Sequence, residues 1–133
     1  MTNDKSAVQP PFREMPDVRV LVDDVVHMPG LDAPPEQPHP FVYFISIHND
    51  SAQTVTIRAR KWVIRSEDGE VAVVEGQGIV GQTPEIEPGG HFSYNSYHVI
   101  GGPVKVCGAF FGETDGGEWF FTRIPEFALT PPE

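Results

Sequence analysis

Three glycines, Gly76, Gly78 and Gly81, spell GxGxxG within EVAVVEGQGIVGQTPEIEPGG, the one pattern in the chain that could handle a phosphate. In a dinucleotide fold such glycines open a helix whose N-terminal amides face a pyrophosphate inside a βαβ unit. Here Pro84 and Pro88 follow with three residues between them, which leaves no room for that helix. A non-helical loop can still aim several N–H groups at an anion, so Gly76, Gly78 and Gly81 stand as a candidate anion or nucleotide loop. The acidic neighbours Glu75, Glu85 and Glu87 oppose a phosphate, and the spacing favours a conformational role in a bulge or a close backbone approach.

Other chemistry is thinner. Arg58, Arg60, Lys61 and Arg65 put four of the nine basic residues inside eight positions around Trp62. Arginines at alternate strand positions share one face, so these four are a candidate partner surface for an acidic or phosphorylated ligand, against the plainer reading of a solvated sheet face. The histidines, His27, His39, His48, His91 and His98, show no i, i+2 pair on a strand. No cysteine or carboxylate completes a ligand set, and His91 and His98 fall on opposite faces by parity. No metal site and no cofactor is expected. Cys107 lies mid-strand with no histidine near it in sequence, as an inert buried thiol would. The carboxylate pairs Asp23–Asp24 and Glu85/Glu87 are placed at turns or strand ends, where solvated charge suffices as an explanation. No residue is assigned a catalytic role, and the chain is read as non-enzymatic.

A chain of 133 residues fits one domain and can remove roughly two-thirds of its unfolded surface from water. Fourteen prolines and thirteen glycines favour many short connections over long helices. The formal net charge of −10 opposes nucleic acid and anionic membrane. A single cysteine cannot form an internal disulfide, the N-terminus lacks the basic and apolar regions of a signal peptide, and no apolar run is long enough to span a bilayer; the expected location is the cytoplasm. Pro10, Pro11 and Pro16 break any early element, so residues 1–16 are expected to be a flexible tail, with Phe12 and Met15 able to dock, and residues 17–133 a single domain.

The elements that must position these groups are strands. Val18, Val20 and Val22 alternate with Arg19, Leu21 and Asp23, giving a strand over Val18 to His27. After the proline-rich loop Met28 to Pro40 comes FVYFISIH, a central strand with Phe41, Tyr43, Ile45 and Ile47 on one face. Thr54 to Arg60 alternates with Val55, Ile57 and Ala59 facing in. Trp62 and Ile64 then have opposite parity, which predicts a bulge near Arg60 or Lys61. Asp68-Gly69 signals a hairpin turn into a return strand carrying Val71 and Val73. Further strands are expected at His91 to His98, Val104 to Phe111 and Trp119 to Arg123, with a short last one around Phe127 to Leu129. About seven short strands at spacings of roughly ten residues, with no 3.6 period anywhere, predict an all-β antiparallel sandwich.

As a string, FVYFISIHNDSAQTVTIRARKWVIRSEDGEV, the glycine-rich EGQGIVGQTPEIEPGGHFSYNS and the closing IPEF resemble the ApaG family. The resemblance runs in order from about Val18 to Leu129 through R-x-W-x-I, D-G-E, G-x-G-x-x-G-x-x-P, P-G and I-P-x-F. It implies an immunoglobulin-like or fibronectin type III-like sandwich. It also implies a bacterial role associated with cobalt and magnesium homeostasis, and eukaryotic relatives in which the domain is a protein-interaction module. The chain departs from that pattern in YHVIGGPVKVCGAFFG, apolar where relatives carry a polar loop, and in residues 1–16.

The function expected is therefore a protein-interaction module engaging an unidentified protein partner through a sheet edge or a face carrying Arg58 and Arg60, with neither nucleic acid nor membrane as partner. The alternative is a pyrophosphate or nucleotide binder using the Gly76 to Gly81 loop. Phe110, Phe111, Trp119, Phe120 and Phe121 hold more aromatic surface than one inward face accommodates, which also points to a homo-oligomer.

Overall fold

Alternation of apolar residues builds the core directly. Phe41, Tyr43, Ile45 and Ile47 all point inward from β3 (His39–Asn49), which pairs antiparallel with β2 (Val18–His27) on one side and β7 (His91–Ile100) on the other. A second, wider sheet packs against this one. Its order is β1 (Arg13–Glu14), β9 (Trp119–Leu129), β8 (Val104–Thr114), β4 (Val55–Ser66) and β5 (Val71–Gln77), with β6 (Glu85–Ile86) pairing to the start of β4. All pairings are antiparallel except β1 with β9. The computed structural model describes residues 12–132, and the two sheets form the expected antiparallel sandwich, a fit to the immunoglobulin-like class. No helix among the described residues is long and apolar enough to cross a membrane.

Between the sheets, Trp62, Phe110, Phe120, Ile45, Ile47 and Ile57 are fully buried. Tyr43 meets Trp62 at a ring-centroid distance of 5.0 Å and Tyr94 meets Phe110 at 6.3 Å, so the layers interlock through aromatic edges and faces. Among the described residues the one buried asparagine, Asn49, ties two connections together. Its side-chain amide donates to the carbonyls of Gln53 (2.7 Å) and Ile86 (2.9 Å), while its Oδ1 accepts from the Ser51 amide at 3.0 Å.

Four expectations need correcting. The bulge in β4 lies at Arg58, between Ile57 and Ala59, and not at Arg60 or Lys61. Ala59 therefore turns outward opposite Phe111, and Arg60 takes the inward parity of Trp62 and Ile64. The last strand is continuous from Trp119 to Leu129. Pro125, which has no N–H to give the ladder, is accommodated where Pro125 and Glu126 face the single residue Cys107, a bulge that keeps pairing intact on both sides. Asp23 and Asp24 sit mid-strand, at a register shift in β2, rather than at a strand end.

The fourth correction concerns the start of the chain. Residues 1–11 lie outside the described residues, but residues 12–16 are docked: β1 pairs in parallel with Phe120 and Phe121, and the Met15 amide donates to the Phe121 carbonyl at 2.9 Å. Ion pairs from Arg13 to Glu118 and from Glu14 to Arg123, each 2.9 Å, flank it. The physical reason is Met15, whose side chain is 3% exposed and belongs to the core. Met15→Ala is expected to lower the unfolding free energy by about 2–3 kcal/mol in urea denaturation; an unchanged midpoint would mean that this segment is not held.

Candidate interaction site

The β4–β5 hairpin is set by its turn. Gly69 adopts φ +93°, and the Asp68 carboxylate accepts from the Ser66 hydroxyl (2.6 Å) and the Glu70 amide (3.0 Å). The Ser66 hydroxyl first, then the Glu70 amide, hold the Asp68 carboxyl below its ordinary value. Contacts across the sandwich put β7 over β4 and β8, through His98 on Trp62 (5.1 Å) and Tyr94 on Phe110. The return strand β5 projects past that cover. Val71 and Val73 on its outer side are 55% and 53% exposed, and Val74 on its inner side is 42% exposed. Among the described residues its one hydrogen-bonded neighbour is β4, and its other edge is bare.

A cleft of about 840 Å³ opens beside this strand, between the hairpin turn, the Gly101–Pro103 turn and the segment at Glu36 and Gln37. Glu36, Glu67, Asp68 and Glu70 line it, and among the described residues no Lys, Arg or His does.

At the far end of β5 the GxGxxG loop does the reverse of cradling an anion. The Gly78 amide donates to the Arg58 carbonyl (2.7 Å) and the Ile79 amide to the Gln82 carbonyl (2.7 Å), so two of the amides a phosphate would use are already engaged. The carbonyls of Gln77 and Gly78 instead accept from Arg60 Nη1 at 2.9 and 3.0 Å. A Cβ on Gly76 would lie 2.7–2.8 Å from that guanidinium, and one on Gly78, at φ +68°, would lie 2.6 Å from the Gln82 carbonyl oxygen. Gly81 has a positive φ as well, +82°, with open space around it.

The four basic residues do not share a face. Arg58 pairs with Glu113 at 3.2 Å, Arg60 is turned inward by the bulge, and Lys61 lies 3.9 Å from Glu75. Arg65 stands opposite Val71. The expected common face of Arg58 and Arg60 is lost because the extra residue at Arg58 reverses parity between them.

Strand register brings together histidines that linear spacing kept apart. His48 and His91 face each other across β3 and β7 with stacked rings 5.4 Å apart, and His48 Nε2 lies 3.0 Å from Ser46 Oγ. His27 and His39 rings are 5.7 Å apart. Among the described residues no group of three or more His, Cys, Asp or Glu side chains converges on a metal-sized space. His98 lies inside, against Tyr43 (4.8 Å) and Trp62, and burial pushes it down to about 4. Burial raises Tyr94 and Tyr43 above the ordinary phenol range, with a Ser96 hydrogen bond opposing the shift at Tyr43.

Of the five aromatic residues near the C-terminus, Phe110 and Phe120 enter the core, while Phe111, Phe121 and Trp119 face outward. Phe12 covers part of that outer face, its ring 5.6 Å from Phe111 and 5.9 Å from Trp119. Half-buried Cys107 lies in the adjoining groove of about 580 Å³, whose lining has no histidine to serve it as a base.

This is a β-sandwich with a bare apolar edge strand and an ordered glycine loop. The chain belongs to the ApaG domain family, whose model matches residues 30–112. It is 36% identical over 104 residues to Protein ApaG of Acidithiobacillus ferrooxidans, covering 77% of this chain and 82% of that one. With Protein ApaG of Chromohalobacter salexigens it shares 42% over 105 residues, covering 77% and 83%. The crystal structure of a protein described as ApaA from Bordetella pertussis superposes with a TM-score of 0.76 at 29% identity, covering 86% of this chain and 93% of that one.

Two expectations follow. Gly78→Ala lowers thermal stability by more than Gly81→Ala, because both take the left-handed penalty of about 1–2 kcal/mol but only Gly78 also meets a backbone carbonyl; equal melting temperatures would contradict this. His98 binds a proton more readily unfolded than folded, so the stability it supports is complete above about pH 6.5 and falls by about 2–3 kcal/mol as pH drops toward 4. His98→Phe should flatten that part of the stability profile, as read by urea denaturation at a series of pH values.

Proposed function

We propose that this chain is a non-enzymatic protein-interaction module of the cytoplasm that engages a protein partner along β5. One observation carries the reading. Among the described residues β5 presents exposed valines on both surfaces and an unpaired edge, whereas the inward residues of the other long strands are buried or half-buried. An extended segment of a partner would pair with the bare backbone and cover Val71 and Val73, the mode known as β-strand addition.

The relation to cobalt and magnesium homeostasis implied by the family resemblance is then indirect, exerted through the partner rather than through a metal held by this chain. The alternative of pyrophosphate or nucleotide binding is disfavoured by the engaged amides of Gly78 and Ile79 and by the guanidinium beside Gly76.

The test places a benzoylphenylalanine crosslinker at Val73 and, as a control, at Leu21 on the smaller sheet. Irradiation in bacterial lysate should give a discrete protein adduct at Val73 and none at Leu21, competed away by unlabelled protein. Absence of any adduct, together with turnover of a substrate by the purified protein, would overturn the reading.

A further inference from the structure

We propose that the partner segment is a basic extended strand, which adds to the bare edge of β5 and lays a lysine or arginine into the acid-rimmed cleft at the start of that strand. The inference rests on the interaction-module reading and names the partner's chemistry.

The edge has a definite set of free groups. At one end of the hairpin the Ser66 amide donates to the Glu70 carbonyl (2.9 Å), and at the other the Gly78 amide donates to the Arg58 carbonyl (2.7 Å). The register between them is unbroken from Val71 to Gln77. Antiparallel hydrogen bonding alternates, so residues 70, 72, 74, 76 and 78 bond to β4, and the N–H and C=O groups of Val71, Val73 and Glu75 point to the open side, while the Gln77 carbonyl is taken by Arg60 Nη1. A strand arriving there finds a ladder ready to continue.

The cleft decides the charge of what arrives. Its apolar floor includes Ile64, Val99 and Val104, and among the described residues its only charged lining groups are the carboxylates of Glu36, Glu67, Asp68 and Glu70. Lysine and arginine fit such a slot, with an apolar stem for the floor and a cation for the rim. Arg65 and Lys105 pair with each other by register on the outer face and do not line the cleft. The chain's net charge of −10 steers basic segments in and acidic ones away. It also opposes a second copy, which carries the same charge.

The test measures fluorescence anisotropy with an acetylated octapeptide alternating lysine with valine or threonine, and with the same peptide carrying glutamate for lysine. The lysine peptide should bind and weaken as sodium chloride rises, and the glutamate peptide should not bind. Val73→Pro should abolish binding with little change in thermal stability, because it removes an N–H on the open edge and none from the β4 ladder. Glu36→Gln with Glu70→Gln, a change confined to exposed side chains, should weaken it on the order of tenfold. Equal binding of the glutamate peptide, or lysine-peptide binding that survives Val73→Pro, would overturn the proposal. A dimer in sedimentation that Val73→Pro disperses would also overturn it, by giving the edge to a second copy. A Val73 adduct in lysate without lysine-peptide binding would reject the basic strand and leave the module reading standing; loss of both would reject both.

Discussion

Three strands cannot roof five. The smaller sheet is anchored on the β9 side, where the Thr122 hydroxyl donates to the Val18 carbonyl and the Val18 amide donates to the Met15 carbonyl at 3.0 Å. With its position fixed there, its width runs out above β4. Everything distinctive on the other side follows from that mismatch: β5 without a roof, valines on both of its surfaces, and a cleft at the open corner. Natural sheets usually blunt an exposed edge with charge, proline or a bulge. β5 keeps Val71, Ala72, Val73 and Val74 in succession, with its one charge, Glu75, near its end.

The bulge at Arg58 links that edge to the glycine loop. Without the extra residue, Arg60 would project to the outer surface with Lys61 facing in; with it, the guanidinium lies beside Gly76 and collects the Gln77 and Gly78 carbonyls. The three glycines thus serve a compact reversal in which Ile79 is buried and its amide and carbonyl pair with Gln82. An arginine placed this way ties the end of β5 to β4 through the Gln77 and Gly78 carbonyls.

Much of this was legible from side-chain alternation. The inward face of β3, the Asp68-Gly69 hairpin and the sandwich class follow from period-two patterns and turn chemistry, which are local. The misreadings share a cause. Placing the bulge at Arg58, and so the parity of Ala59 and Arg60, depends on register with β8, which no local pattern encodes. The same is true of the His48–His91 pair, separated by about a third of the chain in sequence and joined only by β3–β7 pairing. Phe12 and Met15 were legible as able to dock, but the ordered strand between them was not, since isolated apolar residues among prolines carry no periodicity. The overhang of β5 was invisible for a different reason: its sequence is that of an ordinary buried strand, and its exposure is decided by how many strands lie opposite.

The parallel pairing of β1 with β9 has a consequence for how the molecule comes into being. Arg13 and Glu118, joined in an ion pair, are 105 residues apart, and the backbone partners of β1 lie in the final strand. As a ribosome delivers the chain from its N-terminus, the first ordered segment must wait for almost the last to emerge before it can close. Until then the core lacks Met15, Phe120 and the Thr122 bridge, and the β8 edge stands open beside that of β5. The nascent domain passes through a stage in which the long edge of β8 is exposed, and the arrival of β9 covers it.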